Sequence, residues 1–229
     1  MNATWQKHTF PLVMTSTLQF IVLTIVAMLV YPGGTLTDPT TERYSFFTNF
    51  FSDLGTLTSY NGSSNLAANV LFATALTGAG LGLIYFFAVF PMYFQENRYG
   101  RFLSLLGSVC GVITGLGYIG VAFTPADQFI YFHILFVQIA FSAFLGAAIF
   151  YTATIFTHPD YPNQYAIVYI LFAVLLAVYL WLIFFGPDAD TLTGVQIQAT
   201  GQKIIVYAAI LTMFIQAYGA HQFGKRPLP

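Results

Sequence analysis

Charge is scarce in this chain. Only 7% of its 229 residues are Asp, Glu, Lys or Arg, where a soluble domain carries roughly a quarter. Seven basic and eight acidic side chains leave a net charge of -1. With no basic stripe among them, nucleic acid is excluded as a partner. Cysteine is scarcer still. Cys110 stands alone, so the chain makes no intramolecular disulfide and no cysteine-built metal site. Within its apolar run this thiol reads as a small hydrophobe. A cleaved signal peptide is also not indicated. The first apolar stretch runs from Thr9 to Thr37 without a charge, and Tyr31-Pro32-Gly33-Gly34 offers no small-x-small cleavage site.

Apolar residues fill the space that charge leaves: 57% of the chain is hydrophobic and 18% aromatic. A transmembrane helix needs about 20 mostly apolar residues, and six segments supply them, near 10–31, 66–91, 102–123, 128–156, 164–186 and 203–223. Hydrocarbon leaves a bare backbone unsatisfied, so each span is expected to be helical. The alternating pattern of a β-barrel is absent. The expected fold is therefore an all-α integral membrane protein, a six-transmembrane-helix bundle forming one domain over residues 1–229. Cytoplasmic loops collect Lys and Arg. An N-in, C-in topology puts Lys7, Arg98, Arg101, Lys225 and Arg226 inside, and only Arg43 and Lys203 outside.

The loop after the first span has its own pattern. Phe46, Phe47, Phe50, Phe51 and Leu54 face one way on a helical wheel, and Ser45, Thr48, Asn49, Ser52 and Asp53 the other. This spacing predicts a short amphipathic helix over about 45–55, ended by Gly55, lying in the outer interface. Gly107, Gly111 and Gly115 in the third span, with Gly78 and Gly82 in the second, predict close helix packing. No internal repeat or pair of broken helices of the transporter kind is visible.

With N-in topology, polar residues from five segments fall at one level on the outer side. They are Asp53 in the loop, Asn65 and Asn69 at the start of span two, and Asp127 between spans three and four. His133, two turns into span four, and Gln202 with Lys203 at the opening of span six complete the set. Ionisable groups at membrane depth are functional candidates by default. Each also has a structural reading. Thr124-Pro125-Ala126-Asp127 suits a helix start, with Thr124 as N-cap, Pro125 at N1 and Asp127 at N3. Asp53 could sit among headgroups, Lys203 could snorkel to lipid phosphates, and His133 could bond a neighbouring helix. His8, His158 and His221 fall toward the cytoplasmic side and read as solvated. Gln19, Gln138 and Gln216 read as bonds between helices.

Ser52-Asp-Leu-Gly55 after an aromatic stretch and Asn69 early in span two form the first part of an ordered set. Gly115-x-Gly-x-x-Gly120 leading into Pro125-x-Asp127, His133 and Gly201-Gln-Lys203 complete it. From about residue 10 to 222 this set resembles the bacterial and archaeal membrane family catalogued as domain of unknown function 998. That family is itself distantly similar to the six-span damage-regulated autophagy modulator proteins. Lys203 departs from the pattern, which more often has Arg after Gln; a bidentate anion clamp is then replaced by a point charge. The resemblance implies a six-helix bundle in a prokaryotic plasma membrane and brings no agreed activity.

Three functions follow as expectations. The first is a polar pocket on the extracytoplasmic side that binds a lipid headgroup or small amphiphile. Lys203 and Gln202 would meet an anionic group, and Asp53, Asn69, Asp127 and His133 hydroxyls or an amine. Tyr44, Tyr60, Phe129 and Tyr131 would flank the acyl part. The second is a metal-dependent intramembrane lipid hydrolase, in which Asp53, Asp127 and His133 hold Zn²⁺ and an activated water. The third is an accessory subunit of a larger membrane complex, or a homo-oligomer. Bis-His haem is disfavoured because His133 and His221 fall at opposite depths. Asn2-Ala-Thr4 and Asn61-Gly-Ser63 match the glycosylation pattern, the first on the inner side.

Overall fold

The computed structural model describes residues 3–225, with side chains from residue 8 onward. Asn2 and Arg226, which entered the glycosylation and topology readings, lie outside the described residues, as does the side chain of Lys7. Among the described residues, six helices are long and apolar enough to cross a membrane. They are α1 (Ala3–Val30), α2 (Leu66–Val89), α3 (Arg98–Ala122), α4 (Ala126–Phe156), α5 (Gln164–Phe185) and α6 (Leu192–Phe223). Among the described residues there is no named strand, only an isolated bridge between Thr58 and Ser64. The chain is thus all-helical, with the composition of a multi-pass integral membrane protein.

Short connections make successive helices antiparallel neighbours. Each helix packs on the next in sequence, and α6 closes against α1, so the six form a ring. Glycine sets the tightest of these contacts. A Cβ on Gly80 of α2 would stand 2.7 Å from the backbone oxygen of Gly115 on α3, and a Cβ on Gly115 would stand 2.6 Å from that of Gly80. The two backbones therefore touch, as small residues allow inside a membrane. Gly107 and Gly111 of the same α3 face seat the rings of Tyr151 and Phe87. Gly78 and Gly82 seat Gln19 and Ser16 of α1. The expected role of these glycines in packing is what the structure contains. Ser108 adds a polar tie, bonding the Phe87 carbonyl and the Tyr151 hydroxyl.

At the end of the ring where α1 finishes and α2 begins, the intervening segment folds back over the bundle. The 3-10 helix Phe51–Gly55 in this segment touches α1, α2, α4 and α6. The opposite end is filled by aromatic rings. Phe90 lies within 6 Å of Phe86, Phe94, Tyr151 and Tyr161, and Tyr161 stacks near Phe223.

Three expectations change. The amphipathic helix over 45–55 is not one continuous helix but a turn at 46–48 followed by the five-residue 3-10 helix. The cause is local competition: the Asp53 carboxylate accepts the Phe50 amide at 2.8 Å, and the Asn49 side chain accepts the Ser45 amide at 2.9 Å. The Asp53 side chain thereby satisfies the Phe50 amide that a continuous helix would pair with a carbonyl one turn back, while Asn49 turns back on the chain's entry at Ser45. Span six starts eleven residues earlier than its hydropathy suggests, because Thr191 caps it by accepting the Gly194 amide at 3.1 Å. Lys203 and Gln202 therefore sit three turns inside α6 rather than at its opening. Finally, His158 is buried, with its ring against Phe94 and Phe223. Its Nδ1 accepts the amides of Asp160 and Tyr161, and Nε2 faces Glu96 at 3.8 Å. This imidazole caps the turn after α4 instead of lying in solvent.

A cavity beneath the first interhelical loop

Asp53 is 4% exposed and Lys203 1%, and both act on the loop. The Asp53 carboxylate accepts the Asn49 amide group at 2.9 Å and the Phe50 backbone amide at 2.8 Å, and bonds the Tyr60 hydroxyl. Burial pushes its pKa up from 3.8 to about 6, against the opposing pull of those hydrogen bonds and of the Lys203 ammonium. Lys203 Nζ donates to the backbone oxygen of Asn49 and, at 3.4 Å, to that of Ala199. It also lies 5.2–5.9 Å from the ring centres of Tyr44, Phe46 and Phe51, a cation–π cage. Snorkelling is thereby replaced by capture within the protein.

The other candidates also hold the loop. Gln202 Oε1 accepts the Phe51 amide at 2.7 Å, and its amide group bonds Tyr179. Asn69 Nδ2 donates to the Gly55 carbonyl at 2.6 Å. Asp127, which is exposed, accepts the amides of Leu57 and Thr58 at 3.1 Å. It does not cap α4: Thr124 bonds back to the Gly120 carbonyl, and Pro125 takes the N-cap position without a side-chain bond. Two contributors had no assigned role in the sequence reading. Asn49 ties the Ser45 amide, the Gly34 carbonyl and Asp53 together. Asn65 Nδ2 gathers the carbonyls of Asp53, Leu54 and Thr56. Asn49 was visible as the residue one helical turn before Asp53 on the polar side of the loop. Asn65 was visible only as one of the polar residues at the level of the loop, at the start of span two.

His133 goes elsewhere. The helix α4 is interrupted at Phe129, whose φ of -133° and ψ of 45° are not helical. Just past this break His133 is 5% exposed, and its Nδ1 lies 2.7 Å from the Thr124 carbonyl. Its Nε2 is buried and has no hydrogen-bond partner among the described residues. Asp53, Asp127 and His133 are therefore not assembled as a ligand set, since each is committed to a different part of the loop or its flank. No group of three or more His, Cys, Asp or Glu able to hold a metal occurs among the described residues.

Under the loop lies a cavity with ≈ 570 Å³ of atom-free space, part of it opening outward. Phe51 and Ser52 of the loop form its roof, and Phe20, Phe72, Phe141 and Val206 are among its apolar walls. His133 and Gln202 are the side chains of the candidate set that line it. A second cavity of ≈ 300 Å³ follows one to two turns deeper, walled by Val13, Leu83, Phe144 and Met213. Tyr118, Ala209 and Ile210 border both. From Gln202 to Met213 the pair extends along eleven residues of α6, about 16 Å of helix rise. Its polar neighbours Ser16 and Thr17 spend their hydroxyls on carbonyls one turn back, so apart from the Tyr118 hydroxyl the lower chamber is lined by apolar side chains.

Compared with protein-family models, curated proteins and solved structures, the chain matches none of them.

Proposed function

We propose that this protein is a membrane-embedded receptor for an amphiphile, whose chain enters the two stacked cavities and whose polar group stops beneath the outer loop. The observation that carries this reading is a mostly apolar chamber roofed by a loop that seven polar side chains hold in place. A mostly apolar space of this kind is not hydrated at low cost, whereas a hydrocarbon chain replaces lost van der Waals contact. The orientation that fits is N-in, C-in, with the loop and the polar set on the extracytoplasmic face. Kinship with the domain of unknown function 998 family belongs to the same proposal.

This changes the balance within the polar set. Asp53, Asn69, Asp127, Gln202 and Lys203 serve as anchors of the roof, and His133 is the residue offered to a ligand. The hydrolase reading loses its support with the dispersal of its three ligands. The test is native mass spectrometry of the protein released gently from its own membrane, beside an Ala209→Phe variant that fills the junction of the two cavities. An adduct of lipid mass on the native protein, missing from a folded variant, is the expected result. Equal adducts on both proteins, or none on either, would refute the cavity as the site.

A further inference from the structure

The cavity selects for what its occupant can donate. The Thr124 carbonyl has no proton to give, so the 2.7 Å bond to His133 requires the hydrogen to sit on Nδ1. The neutral ring then has a lone pair at Nε2, and that atom is buried and without a partner. Gln202, the other candidate on the wall, has both ends of its amide engaged by Phe51 and Tyr179. What is left on the mostly apolar wall is a buried acceptor with nothing to accept, beside the hydroxyls of Ser52 and Tyr118, which can donate as well as accept. A buried acceptor in that state costs free energy until a donor arrives.

We infer that the ligand is an uncharged amphiphile presenting a hydroxyl, a long-chain alcohol or a lipid with a free hydroxyl, which donates to His133 Nε2. This rests on the cavity being the binding site and adds the chemistry of the occupant. A carboxylate or phosphate offers His133 Nε2 only lone pairs, and it brings a full charge into a space whose walls are mostly apolar. An ether or ester of the same chain fills the space equally but leaves Nε2 as it was. The Lys203 ammonium cannot rescue an anion, because it is engaged by Asn49 and enclosed by three rings.

The experiment uses the full chain in lipid nanodiscs at neutral pH with tritiated 1-dodecanol, subtracting the uptake of empty nanodiscs. Unlabelled dodecanol, dodecyl methyl ether and dodecanoate compete. Dodecanol is expected to compete about tenfold better than the ether, the worth of one buried hydrogen bond, and better still than dodecanoate. His133→Leu should bring dodecanol down to the level of the ether while the ether itself, read with its own label, binds as before. That unchanged ether binding also reports that the variant is folded. If it is not, the order of the three competitors on the native protein decides alone. Equal competition by ether or dodecanoate on the native protein overturns the hydroxyl requirement while leaving the cavity as the site. Retention of the preference in a His133→Leu variant that still binds the ether does the same. No saturable binding of any probe overturns both.

Discussion

Replacing Asp53 by Asn is expected to abolish a pH dependence that the native protein must have. The carboxyl is fully enclosed and its pKa rises from 3.8 to about 6, with burial as the largest cause. Such a difference opposes the ionised form in the fold by about 3 kcal/mol. The sign follows from which state ionises first. Below pH 3.8 both the folded and the unfolded carboxyl are protonated, and Asp53 costs nothing. Between 3.8 and about 6 the unfolded chain ionises while the folded one does not, so stability falls as pH rises. Above pH 6 the full cost is present. The same linkage holds for local opening of the loop, which should be held most firmly under mildly acid conditions. Amide exchange at Phe50, Phe51 and Leu57 between pH 4 and 7, corrected for the intrinsic exchange rate, reads this directly. An Asn side chain can keep its oxygen toward the Asn49 and Phe50 donors, so Asp53→Asn should hold the loop with the same protection at every pH. A native profile flat over this range, or a slope that persists in Asp53→Asn, would show that the carboxyl is not the titrating group.

Lys203→Met should move the midpoint of that profile to higher pH, since the ammonium is one of the influences that lower the Asp53 pKa. The same exchange series in the variant checks it. Asp127→Ala removes the acceptor for the Leu57 and Thr58 amides and should cost about 1 kcal/mol of local protection. That loss should appear as faster exchange at those two positions with no change at Phe51. Gly80→Ala puts a Cβ 2.7 Å from the Gly115 backbone oxygen, so α2 and α3 must separate. A loss of about 1–3 kcal/mol in detergent-titrated unfolding is expected, whereas Gly62→Ala on the loop, where nothing lies within 4 Å, should show only the strain of its positive φ.

The number and order of the helices were legible because crossing hydrocarbon leaves a long, nearly charge-free signature. The start of α6 was not, since Gln196, Gln198, Gln202 and Lys203 imitate a loop when hydropathy is averaged along the chain. In the structure Gln198 bonds the carbonyls of Leu182 and Pro187, and Gln202 and Lys203 bond the loop. Their polarity is spent inside the protein, which an average cannot see. The convergence of Asp53, Asn69, Asp127, Gln202 and Lys203 at one end could be read from depth alone. What each bonds could not, because most of the partners are backbone amides and carbonyls of the loop, and every residue carries those. The His133 acceptor was hidden for the same reason. Only the placement of the Thr124 carbonyl decides which ring nitrogen is left over.

The two bonds from α6 to the loop join residues 151 and 154 positions apart, and this separation has a consequence in time. Synthesis at about 5–20 residues per second leaves roughly 8–30 s between the making of the loop and the arrival of Gln202 and Lys203. During that interval the roof lacks both of its fastenings to the last helix. Asp53 and Asn49 meanwhile face the half-built bundle without an ammonium nearby. The chamber is therefore finished from its roof inward by the final span, and a chain cut short before α6 would have five helices and no closed cavity.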